Sequence, residues 1–319
     1  IQYLAYVHNA IDQIRGEAAS LEFFSTGQCL RELPGQFPSY KNPMVVRIAG
    51  LAYQKGFGGH FHNDNSFGAL LEIPGILIGV PARADEAVLM LRSMTAAAAE
   101  LGKVSVCIEP IALYMQKDLH AANDGGWQFG YPAPDQLLPI GEGRVYDASD
   151  EDQLTIVTFG NGLWMSLRVQ KKLRERGVRA RVFDLRWLSP LPIEQIKEHV
   201  KATGRCLVVD ECRHTHAGPS PMILTELCQD PELAGCVLRR IAVGLNIHLS
   251  ASRLSRLTAE HGASPHAYDR WLRAQEMILK FSPREWAQAA DIFRSTIVDT
   301  PHFSPAYSSL VQINNTASF

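Results

Sequence analysis

No stretch of this 319-residue sequence approaches the roughly 20 apolar residues that a membrane-spanning helix needs. Its basic residues are scattered, and the net charge is −2, so neither a nucleic-acid nor a membrane footprint is expected. The six cysteines (29, 107, 206, 212, 228 and 236) form no CxxC pair and no regular framework. Several lie in apolar runs, as buried thiols in a reducing compartment would. A GxSxG elbow is missing, which argues against a serine-hydrolase triad. The Gly160-Asn161-Gly162 turn lacks both GxGxxG spacing and a Lys-Ser/Thr pair, and is assigned to turn geometry. Nor is there an initiator methionine. The chain opens on Ile1 inside a patterned segment and reads as part of a longer product, so a missing leader carries no information.

What is present is ordinary for a globular enzyme: 46% hydrophobic and 20% charged residues, enough chain for two cores. The densest stretch is Gly56 to Gly75, GFGGHFHNDNSFGALLEIPG. Glycines 56, 58 and 59 allow backbone to approach a ligand, and His60 and His62 can exchange protons near neutral pH. The stretch follows Met44–Ile48, an apolar β-branched run, which puts it at the C-terminal end of a strand, where open α/β sheets bind ligands. On composition alone the competing reading is a glycine-rich surface loop whose histidines serve only local hydrogen bonds.

The periodicity predicts a helix over Tyr6–Leu21, with apolar residues at 7, 10, 11, 14, 18 and 21. Cys29–Ser39, with two prolines, reads as a loop. Strands follow at Met44–Ile48, Ile76–Val80 and Val104–Ile108, with a helix from about Asp85 to Gly102 between the last two. Periodicity fails between Tyr114 and Asp152, which reads as a linker. Strands and helices then alternate. Leu154–Phe159, Ala180–Leu185, Cys206–Val209 and Val237–Val243 are extended; Leu163–Arg176, Ile193–Thr203 and Met222–Cys228 are helical. Repeated βαβ units predict parallel, doubly wound sheets. Asp210 and Glu211 with His214 and His216 resemble metal ligands, but acidic strand ends are common and the metal reading is set aside. Beyond Gly244, arginines and histidines crowd a stretch with some helical spacing around Trp271–Phe281, and the polar end from Phe303 is expected to be loosely ordered.

These segments together resemble a known family, the β subunit of the thiamine-diphosphate-dependent decarboxylating component of 2-oxo acid dehydrogenase complexes. The resemblance is carried by AIDQI near Ala10, NPMVVRIAG at 42–50, GHFHNDN with EIPG, VPARADEAVLML, IEP at 108–110, TIVTFGNG, VFDLRWLSPLP and GRCLVVDE. Chains that fuse the α and β portions are similar through GGHFHNDN and DGGWQFGYPAP as well. The resemblance covers roughly residues 1–243 and implies an α/β chain of two doubly wound domains. These are an N-terminally incomplete pyrimidine-binding domain (1–114), a linker (115–152) and a transketolase C-terminal-like domain (153–243), followed by a divergent tail (244–319).

It also implies thiamine diphosphate as cofactor, with Mg²⁺ and the diphosphate held mainly by an α portion. The implied substrate is a 2-oxo acid, of pyruvate or branched-chain type, whose acyl group passes to a lipoyl arm. Expected partners are the α portion, a second β copy and the lipoyl acyltransferase. The expected compartment is bacterial cytoplasm or mitochondrial matrix. Two positions carry over: Tyr6 as the aromatic packed on the pyrimidine ring, and His62 as the active-site imidazole. His60 is expected to be structural. The family's activating glutamate is expected upstream of Ile1, so this chain alone is expected to be inactive. The 29–39 segment interrupts what the family runs together, and no ion ligands are assigned. Two other readings remain: another thiamine enzyme related to transketolase, and a non-catalytic module that pairs with α or β chains.

Overall fold

A computed structural model describes residues 1–25, 40–52, 62–212, 218–233, 235–242 and parts of 267–310. The predicted loop at 29–39, glycines 56, 58 and 59, His60, His214, His216 and the last nine residues lie outside the described residues. The chain forms two compact units, Ile1–Leu245 and Asn246–Phe319.

The first unit holds two sheets. A helical run, α1, covers residues 4–25 as consecutive 3-10 (Leu4–Ala10), α (Ile11–Gln13), π (Ile14–Ala19) and α (Ser20–Ser25) turns. Its buried stripe is Leu4, Val7, Ile14 and Ala18; of the other apolar positions read from the sequence, Ala10 and Ile11 are half-buried and Leu21 is exposed. Then come β1 (Met44–Gly50), a short α2 (Gly68–Leu71), β2 (Leu77–Gly79), α3 (Ala84–Ala96) and β3 (Val104–Pro110). A π turn, Ala97–Leu101, extends α3, and Gly102 ends it in the left-handed conformation, φ 73°. β1 and β2 both pair in parallel with β3.

The second sheet is built from β4 (Arg144–Tyr146), β5 (Thr155–Thr158), α4 (Asn161–Glu175), β6 (Arg181–Asp184), α5 (Ile193–Thr203), β8 (Arg205–Asp210), α6 (Pro219–Gln229) and β9 (Val237–Ala242). Between β6 and α5 the chain contributes β7 (Trp187–Ser189) to the first sheet instead, antiparallel to β2. The strand orders are β1-β3-β2-β7 and β4-β6-β5-β8-β9. Apart from the antiparallel edges β7 and β4, both sheets are parallel. In the second sheet the winding reverses between β5 and β8, the place where doubly wound sheets open a crevice at the strands' C-terminal ends.

Four elements differ from the reading of the sequence: the short α2, β4, β7 and a helix of the second unit. β7 and β4 fall in stretches read as connections, and β4 lies inside the supposed linker. That stretch is also well tied. The Asp124 carboxylate accepts from the backbone N–H groups of Leu119, His120, Ala121 and Gly126. These bonds hold its pKa well below the usual carboxylate range. In the second unit, α7 (Pro283–Asp299) occupies sequence to which no element was assigned. It buries Ala289, Ala290 and Phe293, with Trp271 and Met277 packed against them.

The two sheets share one core: Ile48 and Val106 of the first belong to the same buried cluster as Val157, Phe183 and Val208 of the second. Phe67 meets Phe159 edge-on, with ring centroids 5.9 Å apart. A buried polar cluster adds to this joint. Glu86 of α3 accepts from Arg144 at 2.8 Å and from Arg186 at 2.5 Å, and Arg83 pairs with Asp85 at 2.7 Å. Burial, with Glu86 as a negative neighbour, pushes the Asp184 carboxyl up to about 8.

Candidate functional site

The site begins with a glycine at the end of β1. A Cβ on Gly50 would lie 3.3 Å from Leu4 Cβ, so its absence lets the start of α1 rest on the strand's C-terminal end. Tyr3 precedes the first helical residue, and its carbonyl accepts from the Tyr6 N–H at 3.0 Å. The two tyrosines are three apart, as neighbours on one helix face are. Their ring centroids are 6.2 Å apart. His62 joins them. Its imidazole stands 4.7 Å from the Tyr3 ring, nearly edge-on at 65°, and 6.3 Å from the Tyr6 ring. Tyr6 and His62, 56 positions apart in sequence, thus share one cluster, with Tyr6 38% exposed.

Beyond His62, the Asp64 carboxylate accepts from the Ser66 N–H and hydroxyl at 3.2 and 2.8 Å, closing an Asx turn before α2. Asn65 reaches the second sheet. Its Nδ2 donates to the Glu211 carbonyl at 3.1 Å, and its own carbonyl accepts from the Cys212 thiol at 3.5 Å. Glu211 is 1% exposed at the end of β8, and its carboxylate faces the first turn of α4. Oε1 accepts from the Gly162 N–H at 3.0 Å, a position that suits an anion. Asn161 Nδ2 lies 3.5 Å from Glu211 Oε2 and donates to the Leu51 carbonyl at 2.9 Å. Asp210, fully buried, accepts from Cys212 N at 2.9 Å and from Ser220 N at 3.2 Å, at the start of α6.

On the neighbouring strand end, Glu109 accepts from Arg47 Nε at 2.5 Å and from Tyr114 at 2.8 Å. Burial works to raise its pKa, but those two donors hold it below the ordinary carboxylate value. Two tyrosine faces beside an imidazole make a wall that fits a flat heteroaromatic ring. Among the described residues no group of three His, Cys, Asp or Glu could hold a metal. No described helix is long and apolar enough to cross a membrane.

Tyr3 carried no assignment from sequence, although its position three residues before Tyr6 puts it within reach. Asn161 and Glu211 were read as a turn and an acidic strand end. Their partners lie 110 and 146 residues away, and no local pattern announces such distances.

Comparison with known proteins agrees with this architecture. Residues 143–232 match the family described as Transketolase, C-terminal domain. The chain is 25% identical over 232 residues to the pyruvate dehydrogenase E1 component subunit beta of Bacillus subtilis, a match covering 71% of this chain and 61% of that protein. It is 24% identical over 234 residues to the Staphylococcus epidermidis counterpart, with 72% and 61% covered. The chain therefore spans about three fifths of the length of these relatives. Among solved structures, a split gene transketolase, an inactive beta4 tetramer, superposes with a TM-score of 0.53 and 19% identity, covering 83% of this chain and 71% of that one.

Proposed function

We propose that this chain, a β-subunit-like protein of the thiamine-diphosphate-dependent transketolase family, forms the ring-binding side of a 2-oxo acid dehydrogenase active site. The observation that carries the reading is the cluster of Tyr3, Tyr6 and His62 at the C-terminal end of β1. Thiamine diphosphate, when bound, supplies the electron sink for loss of carbon dioxide from the 2-oxo acid. Tyr6 presents a flat face to the aminopyrimidine. His62 orients the substrate carboxylate and moves a proton during acyl transfer to a lipoyl group, with Tyr3 against its ring limiting the imidazole's rotation. An α portion would supply the diphosphate and Mg²⁺ site, and a second β copy would complete the assembly.

The test is reconstitution of the chain with an α partner, thiamine diphosphate, Mg²⁺ and a lipoylated acceptor domain, offered pyruvate or a branched-chain 2-oxo acid. Acyl-lipoyl product is expected, and His62→Ala is expected to lower its formation about 100-fold, the scale of general acid–base catalysis. Wild-type turnover in that variant overturns the assignment. A second reading, a module that assembles with copies of itself without turnover, draws on the likeness to the inactive transketolase tetramer. It predicts a β-only oligomer and no acyl-lipoyl product.

A further inference from the structure

The crevice at the C-terminal ends of β5 and β8 is where a doubly wound domain ordinarily receives an anionic ligand, at the N-terminus of the following helix. Here the chain itself occupies that position. The Glu211 carboxylate takes the Gly162 N–H, Asn161 takes the Leu51 carbonyl, and the Glu211 carbonyl takes Asn65. Leu51 and Asn65 flank His62 in sequence, Leu51 eleven residues before it and Asn65 three residues after it. Leu51 also holds a positive φ of 51°, a conformation that a non-glycine residue adopts only when its surroundings impose it. Asn161 and Glu211 are 4% and 1% exposed, so both are fixed by packing as well as by hydrogen bonds.

We propose that Asn161 and Glu211 are positioning residues for His62. The second sheet's ligand crevice has been turned into an anchor for the 62–66 segment, through Asn65, and it also holds Leu51 at the end of β1. Glu211 acts through Asn65, and Asn161 through Glu211, whose carboxylate lies 3.5 Å from the Asn161 amide. The consequence for catalysis rests on the reading of His62 given above, but the anchoring itself can be measured without turnover.

The experiment uses the full chain with ¹⁵N-labelled histidine, the His62 signal being assigned by its loss in His62→Gln. Glu211→Gln, Asn161→Ala and the milder Asn65→Ala are compared with wild type. Expected is a shifted His62 resonance in each variant, while the His199 resonance on α5 stays in place. Amide exchange across 62–66 should speed up about tenfold, the size of one hydrogen bond's net contribution. An unmoved His62 signal overturns the proposal. So does faster exchange spread equally through β5 and β8, which would mark general loosening. If Glu211→Gln does not fold, Asn65→Ala still decides, because it removes one anchor and leaves the buried pair in place. Should His62→Ala retain full turnover while these shifts appear, the catalytic reading falls and the anchoring stands.

Discussion

Arg186 donates to Glu86 at 2.5 Å across 100 residues of sequence, joining the end of β6 to the first turn of α3. Glu86 also receives Arg144, so one carboxylate is shared by two guanidinium groups, of which Arg186 is itself buried. Glu86 Oε2, Asp184 Oδ2 and Arg186 Nε have no further hydrogen-bond partner among the described residues. The joint between the sheets is therefore held by ion pairing as well as by apolar packing.

Removing the shared carboxylate should be costly. Glu86→Ala leaves the Arg186 charge buried beside a cavity, and losing one member of a buried pair costs about 3–5 kcal/mol. The urea midpoint should fall accordingly, with Glu86→Gln falling less. An unchanged midpoint would show that water already solvates the arginines.

Asp184 gives the same joint a pH dependence. Its folded pKa, about 8, stands above the roughly 3.9 of an unfolded aspartate, because burial and Glu86 disfavour its charge. A carboxyl raised in this way contributes stability that is complete below pH 4 and is lost as pH rises towards 8. Urea unfolding between pH 5 and 8.5 should show declining stability, and Asp184→Asn should flatten that decline. Arg186 and Arg144 oppose the shift, so Arg144→Gln should steepen it. Parallel pH profiles for wild type and Asp184→Asn would place the titration elsewhere.

Gly160 offers a test of the crevice that leaves its charges in place. Its φ of 55° and ψ of −129° belong to glycine. A Cβ there would lie 3.0 Å from Glu211 Oε1 and 3.2 Å from Leu51 Cδ1. Gly160→Ala should destabilise the chain by about 1–3 kcal/mol, read as a lower denaturation midpoint at constant slope. A midpoint equal to wild type would mean that β5 and α4 can shift to admit the methyl group.

Much of the fold could be read from the residues, because it depends on local chemistry. α5 keeps Ile196 and Val200 on its buried face and stops at Gly204, φ 66°, the punctuation that the sequence displays. β5, β6 and β8 are apolar runs between helices. The elements that went unread are those decided by a distant partner. β4 and β7 have three residues each, too few for a period, and are strands because β6 and β2 pair with them. α7 packs with Trp286, Ala289, Ala290 and Phe293, a helical spacing half-hidden because alanines fill two of its positions. The site follows the same division. His62 stood out by its place in a glycine-rich run, and Tyr6 only through the family resemblance; that their rings come within 6.3 Å depends on Gly50 letting α1 settle on β1.

The strand exchange by β7 bears on how the protein is made. The first sheet lacks its fourth strand until Trp187–Ser189 has been synthesised, by which time β4, β5 and β6 of the second sheet have been made as well. Domains that fold one after another during translation need each to be complete in itself. Here the earlier half waits for the later one. Cutting the gene between the two sheets should therefore give an N-terminal product with an open edge at β2, a surface prone to pair with other chains.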